Sequence, residues 1–265
     1  MEIKSLINLK NQNCLVTGGF GYLGKQIIEA FAELGANIIT LDLKDAEDDN
    51  FKNQIINKYE VNFEFYPVDL SSKDYILKAC DLIKSKYQTL KCIVNNAGIL
   101  THSFEKGWNC EFEQQNTDLW NKVFEINITA PFILSQELSS LLSFSKGSII
   151  NISSIYGIVG PTQSIYEKTE LFNPCGYAVS KAGLIQMTKW LAAILAPKIR
   201  VNAIVLGGVE RSQSELFIKE YSKNTLLNRM AKSEEIKGAI VFLGTDLSTY
   251  TTGSSIFIDG GWTAI

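Results

Sequence analysis

Short β-branched runs alternate with longer amphipathic segments along nearly the whole chain, and this rhythm constrains the fold more than any other feature. Asn13–Thr17 (NCLVT), Asn37–Leu41 (NIITL), Val61–Tyr66, Lys91–Val94 (KCIV), Gly147–Ile152 (GSIINI), Ile199–Val205 and Ser254–Ile258 read as strands. Tyr22–Leu34 reads as a helix, with apolar residues at 23, 27, 28, 31 and 34 and Gly35 to stop it. Asp45–Tyr59, Ser71–Tyr87, Thr117–Leu142, Tyr177–Leu195 and Ser233–Leu243 read as further helices. Strands apolar on both faces need cover on both faces. The spacing therefore predicts an α/β fold: a doubly wound parallel sheet of about seven strands with helices on both sides. No repeat or linker interrupts it, and the five prolines are dispersed, so residues 1–265 are expected to form a single domain.

Composition removes other classes. With 46% hydrophobic and 20% charged residues, the 265-residue chain is neither disordered, a coiled coil nor a collagen-like fibre. The net charge of −3 provides no basic field for a polyanion, so no nucleic-acid partner is expected. No apolar run approaches membrane-spanning length, and MEIKSLINLKNQ lacks the apolar stretch of a signal peptide. Cys14, Cys80, Cys92, Cys110 and Cys175 are odd in number and show no C-x-x-C spacing. A soluble, cytoplasmic, reduced protein without a metal site is expected, and the single His102 reads as a loop residue near the pocket mouth.

The sharpest local signal is Thr17-Gly18-Gly19-Phe20-Gly21-Tyr22-Leu23-Gly24, between the first strand and the first long helix. Glycines there permit a tight turn and close approach of a pyrophosphate to a helix N-terminus. This makes the sheet Rossmann-like, with Gly18, Phe20, Gly21, Tyr22 and Leu23 against a dinucleotide. Asp42 lies 18 residues past Gly24 at the end of the second strand, where a carboxylate accepts from a ribose 2′-hydroxyl and repels a 2′-phosphate. NAD is therefore expected over NADP, although Lys44 stands close by. Asp69 and Leu70 follow the third strand and face an adenine in this reading, or else cap the next helix. Asn96, Ala97 and Gly98 follow the fourth strand, where small residues let the backbone approach the cofactor.

Tyr177-Ala178-Val179-Ser180-Lys181 places a phenol and an ammonium one helical turn apart. A nearby cation favours phenolate and makes tyrosine a workable proton carrier. Ser153, at the end of a strand, could hold a carbonyl, and Asn127 is an amide in an apolar helical stretch.

These motifs, with RVNAI at 200–204 and TGSSIFIDGGW at 252–262, stand in the order of the short-chain dehydrogenase/reductases, which the chain resembles over residues 8–262. The resemblance implies reversible oxidation of an alcohol to a carbonyl with a nicotinamide cofactor. It implies that Tyr177 is the general acid/base, Ser153 orients the substrate oxygen, Lys181 binds the nicotinamide ribose and lowers the tyrosine pKa, and Asn127 supports a water relay. Gly207 and the Val209 backbone would meet the nicotinamide. The family's assembly implies a homo-oligomer, tetramer or dimer, with Trp120, Phe124, Phe132 and Trp190 as candidate contact residues.

Three departures from the family pattern are informative. The usual glycine at position 22 is Tyr, with Gly21 beside it, a spacing typical of the epimerase-like branch. The usual Pro-Gly after the sixth strand is Leu206-Gly207-Gly208, read as the hinge of a lid over 207–232, with Arg211 either gripping a phosphate or carboxylate or simply solvated. The 24 residues from Ser153 to Tyr177 are about twice the family's interval, which gives a substrate insertion over 155–176. Gln163, Tyr166, Glu167, Lys168 and Thr169 suggest a polar wall beside the substrate. IYGIVGPTQSIYE, NPCGYAVSKAGLIQ and the terminal GGWTA resemble the bacterial flagellin-modification and surface-sugar biosynthesis dehydrogenases, implying a sugar, sugar phosphate or nucleotide sugar. The alternatives are a non-catalytic NAD-binding sensor and a sugar-nucleotide epimerase or dehydratase.

Overall fold

The strands are β1 (Asn13–Thr17), β2 (Asn37–Asp42), β3 (Phe63–Pro67), β4 (Cys92–Asn95), β5 (Ser148–Ser154), β6 (Arg200–Leu206) and β7 (Ser255–Ile258). All pair in parallel, in the order β3-β2-β1-β4-β5-β6-β7. The computed structural model describes residues 2–99, 106–166, 169 and 172–265. His102, Glu167 and Lys168 lie outside the described residues. The helices are α1 (Ile3–Leu6), α2 (Tyr22–Glu33), α3 (Asp49–Tyr59), α4 (Lys73–Lys86), α5 (Thr117–Phe124), α6 (Ala130–Glu137), α7 (Ser139–Ser145), α8 (Cys175–Leu195), α9 (Glu215–Ser222) and α10 (Lys237–Gly244).

Successive strand residues point to opposite faces, so each strand feeds two cores. Cys14, Val16, Ile38, Val94, Ile150 and Ile204 pack against Ile27, Ile28 and Phe31 of α2 and Ile240 and Leu243 of α10. Leu15, Ile39, Ile93, Ile149 and Val201 pack on the other face against Ile76 and Ile83 of α4, Leu134 of α6, Leu142 of α7 and Leu191 of α8. Each such fully buried aliphatic side chain contributes about 2 kcal/mol relative to exposure. Cys14 and Cys92 are register partners, fully buried among these residues, and burial pushes both thiols up, Cys92 to about 12. All five cysteines are free.

The expected long helix over 117–142 is in fact broken. A π-helical turn, Glu125–Thr129, separates α5 from α6, and α7 begins only after Leu138. Pro131 has no N–H to donate to the carbonyl of Asn127, four residues earlier, so the regular ladder cannot run through. Such turns often mark functional positions. The segment 207–232, read from sequence only as a lid, contains α9, capped by the Ser214 side chain accepting from the Phe217 N–H.

The chain runs outward from β1 to β3, then crosses back to β4. That reversal leaves a crevice at the carboxyl ends of β1 and β4.

Candidate active site

A cleft of about 790 Å³ opens at this crevice. Its cofactor half is built on close backbone approaches. Gly18 has φ +65°, and a Cβ there would meet Ala97 Cα at 3.0 Å. A Cβ on Gly24 would lie 2.0 Å from the Gly18 carbonyl oxygen, so glycine is what lets α2 leave the turn so abruptly. The fourth-strand loop is stapled to this turn: Thr17 Oγ1 accepts from the N–H groups of Asn96 and Ala97, both at 3.0 Å, and Asn96 Nδ2 donates to the carbonyls of Thr17 and Gly18. Asp42 accepts from the N–H groups of Phe20 (3.0 Å) and Leu43 (2.9 Å). Burial raises its carboxyl, and these two bonds pull against that rise. Asp69 accepts from Ser71 through both its backbone and its hydroxyl, so it caps a turn while still lining the cleft. Gly18, Phe20, Gly21, Tyr22, Leu23, Asp42, Asp69, Leu70, Asn96, Ala97, Gly98, Gly207 and Val209 all line the cleft.

Ser153, Tyr177 and Lys181 converge on its other half. Asn127 stands just behind them: its Oδ1 accepts from Ile99 N–H at 3.0 Å, and its Nδ2 donates to Ser180 Oγ at 3.0 Å. A Cβ on Gly98 would meet Asn127 Oδ1 at 3.0 Å and Lys181 Nζ at 3.4 Å, which shows how tightly these groups gather. A ladder of buried side chains ties the strands beneath them, with Asn95 donating to Asn151 and Asn151 to Thr188, each at 2.8 Å.

Two adjacent serines, Ser153 and Ser154, line the cleft with Tyr177. Adjacent strand residues face opposite ways, so their hydroxyls meet different partners. Ser153 Oγ donates to the Lys181 carbonyl at 2.8 Å, whereas Ser154 accepts from Tyr156 N–H and is the serine that holds the Tyr177 phenol down against burial. The NISS sequence could not separate them, because β5 runs two residues beyond the expected strand end.

The polar wall is also revised. Of its expected members among the described residues, only Tyr166 lines the cleft; Gln163 is exposed, and Thr169 turns its hydroxyl to the Tyr166 carbonyl. The wall is phenolic and aromatic instead. Tyr156 and Tyr166 share a hydrogen bond of 2.5 Å, and Phe217 and Tyr221 stack behind them at 6.0 Å. The glycine pair packs closely here: a Cβ on Gly208 would meet the Tyr221 ring at 2.6 Å, and its N–H donates to the Tyr221 hydroxyl.

Residues 22–263 match the family model described as enoyl-(acyl carrier protein) reductase. The chain is 30% identical to the 3-oxoacyl-acyl-carrier-protein reductase FabG of Aquifex aeolicus, over 98% of this chain and 99% of that one. A crystal structure of a short-chain dehydrogenase from Leptospira borgpetersenii with bound NAD+ superposes with a TM-score of 0.85 at 31% identity, covering 99% of this chain and 96% of that one. The chain is a short-chain dehydrogenase/reductase. This oxidoreductase is also 27% identical to the post-translational flagellin modification protein A of Campylobacter coli, over 96% of this chain and 99% of that one. Short-chain dehydrogenase/reductases use NAD(P). The cradle left by Gly18, Gly21 and Gly98 fits such a group, since a Cβ on Gly21 would meet only the Gly18 carbonyl oxygen, at 3.2 Å.

Electrostatics in the dehydrogenase differ from the simple expectation for a Tyr-Lys pair. Lys181 Nζ donates to the Ile152 carbonyl at 2.8 Å and lies 5.8 Å from the Tyr177 ring centroid. Burial drives the Tyr177 phenol above its ordinary value, opposed by the Ser154 bond and the Arg211 charge. Burial also lowers Lys181 to about 8. A lysine depressed on folding lets the unfolded chain bind more protons between pH 8 and the ordinary lysine value. Stability without cofactor should therefore rise by about 3 kcal/mol from pH 8 to 10.5 on account of this group. Urea titrations at pH 8 and 10 should show that slope, and Lys181→Met should remove it.

Proposed function

We propose that this enzyme interconverts an alcohol and a carbonyl with NAD, on a sugar, sugar phosphate or nucleotide sugar. The convergence of Tyr177, Ser154, Lys181 and Asn127 on one end of a dinucleotide-sized cleft carries this reading. The nicotinamide, when bound, supplies or takes the hydride. Tyr177 moves the proton at the substrate oxygen, Ser154 Oγ orients that oxygen beside the phenol, and Lys181 binds the ribose hydroxyls. Asn127 holds the Ile99 loop and supports a water relay in this reading, and Pro131 offers its carbonyl no N–H four residues on.

A wall of phenols supports the sugar reading, since aromatic faces meet sugar C–H groups while the hydroxyls meet sugar hydroxyls. Similarity to the flagellin modification protein points the same way. For the cofactor, Lys44 is engaged by Glu47 and lies 5.6 Å from the Phe65 ring centroid, rather than standing free for a 2′-phosphate. Asp42→Ala should lower the preference for NAD over NADP by about tenfold to a hundredfold, measured as the ratio of kcat/KM values. An unchanged ratio would remove Asp42 from cofactor choice.

An exposed apolar stripe on α8 (Val179, Trp190 and Ile194) supports a homo-oligomer, whereas Trp120 and Phe124 stack on one another at 5.1 Å. Among the described residues no helix is long and apolar enough to cross a membrane, and no cluster could hold a metal. Free cysteines throughout support a cytoplasmic location. The direct test of the activity is NADH absorbance with a panel of sugars, sugar phosphates, nucleotide sugars and simple alcohols. Oxidation or reduction of a sugar derivative supports the reading. Turnover confined to other substrates, or NAD binding without any turnover, overturns it.

A further inference from the structure

We propose that Arg211 closes over the diphosphate of the bound dinucleotide, seated on Tyr22 as its platform. The inference rests on the reading of the cleft as an NAD site. Tyr22 is the first residue of α2, where the family has glycine, and its ring therefore stands at the helix end that attracts phosphate. Its hydroxyl donates to the Glu210 carbonyl at 2.7 Å, which ties the loop after β6 to the glycine turn. Arg211 Cζ then lies 4.7 Å from the Tyr22 ring centroid, a stacking distance for a guanidinium. Gln213 fixes the backbone beneath it, accepting from Arg211 N–H at 2.6 Å and donating to the Val209 carbonyl at 2.9 Å.

Among the described residues Arg211 has no carboxylate partner, and it lines the same cleft as Gly21 and Leu23. A guanidinium resting on a ring leaves N–H groups free at its edge, and its fork suits bidentate binding of phosphate oxygens. The ring belongs to the glycine turn and not to the phenolic wall around Tyr166, which favours the cofactor's anion, although the Arg211 charge also reaches Tyr177. The departure at position 22 and the arginine at 211 thus form one device: an aromatic seat replaces a glycine and brings a cation to the helix N-terminus.

The test is binding, read by NADH fluorescence and by displacement with ADP-ribose and adenosine. Arg211→Gln should weaken NADH and ADP-ribose alike by about tenfold or more, while adenosine competes as before. Arg211→Lys should fall between, since it keeps the charge but not the fork. Tyr22→Phe keeps the seat and should stay within about threefold of the original, whereas Tyr22→Gly should lose about as much as Arg211→Gln, and the double variant little more. Unchanged NADH and ADP-ribose affinity in Arg211→Gln overturns the clamp, as does an equal loss for adenosine. An Arg211→Gln effect confined to the KM of an anionic substrate also overturns it. Failure of the original protein to bind NADH or ADP-ribose overturns instead the underlying assignment of the cleft.

Discussion

Tyr177→Phe should reduce turnover by about 10³-fold to 10⁴-fold while leaving NADH affinity within about twofold. The phenol is buried, and Ser154 lines the cleft with it. Removing one oxygen leaves the ring against Trp108 and Val123, so packing and the cofactor half of the cleft are unaffected. Among the described residues the only carboxylates lining the cleft are Asp42 and Asp69, at the end of β2 and just past β3, and no imidazole lines it. Lys181 is the neighbouring cation, one of its three N–H groups donated to the Ile152 carbonyl. A Phe variant with near-normal turnover would return the proton to another group and would sink the assignment. Loss of NADH binding together with turnover would show instead that the substitution damaged the fold.

The two serines give the second large contrast. Ser154→Ala should cost about 10²-fold in kcat, the order seen when a single group orienting the reacting oxygen is removed. Ser153→Ala should keep kcat within about threefold and cost about 1 kcal/mol of stability, for one buried hydrogen bond to the Lys181 carbonyl. Paired kinetics and urea unfolding on the two variants separate these effects. The reverse pattern would restore the substrate role to Ser153.

This pair also shows where reading the sequence reached its limit. Strand and helix positions followed from apolar periodicity, and β1 ends at the residues the spacing predicts. The glycine turn, Asp42 and the Asn96–Gly98 loop each have a chemical signature in the sequence, and the structure brings all of them to one cleft. The two serines were not separable, because both lie beyond the apolar run whose alternation would have fixed their faces, and β5 continues through them. The break at Asn127 left a trace in Pro131, whose missing N–H is visible in the sequence, but the apolar pattern continues through it. The Tyr22–Arg211 stack joins residues far apart in the chain, and no local pattern reports such a meeting.

The staple between Thr17 and Asn96 has a consequence for synthesis. Its hydrogen bonds join positions 79 apart, so the glycine turn has no floor until the fourth strand has been made and placed beside the first. A chain still on the ribosome with only its first two strands exposed carries the whole glycine motif yet offers a dinucleotide nothing to rest on. A dinucleotide cofactor therefore cannot template the earliest third of this protein as it emerges; it can stabilise the product only once that third has closed upon the next.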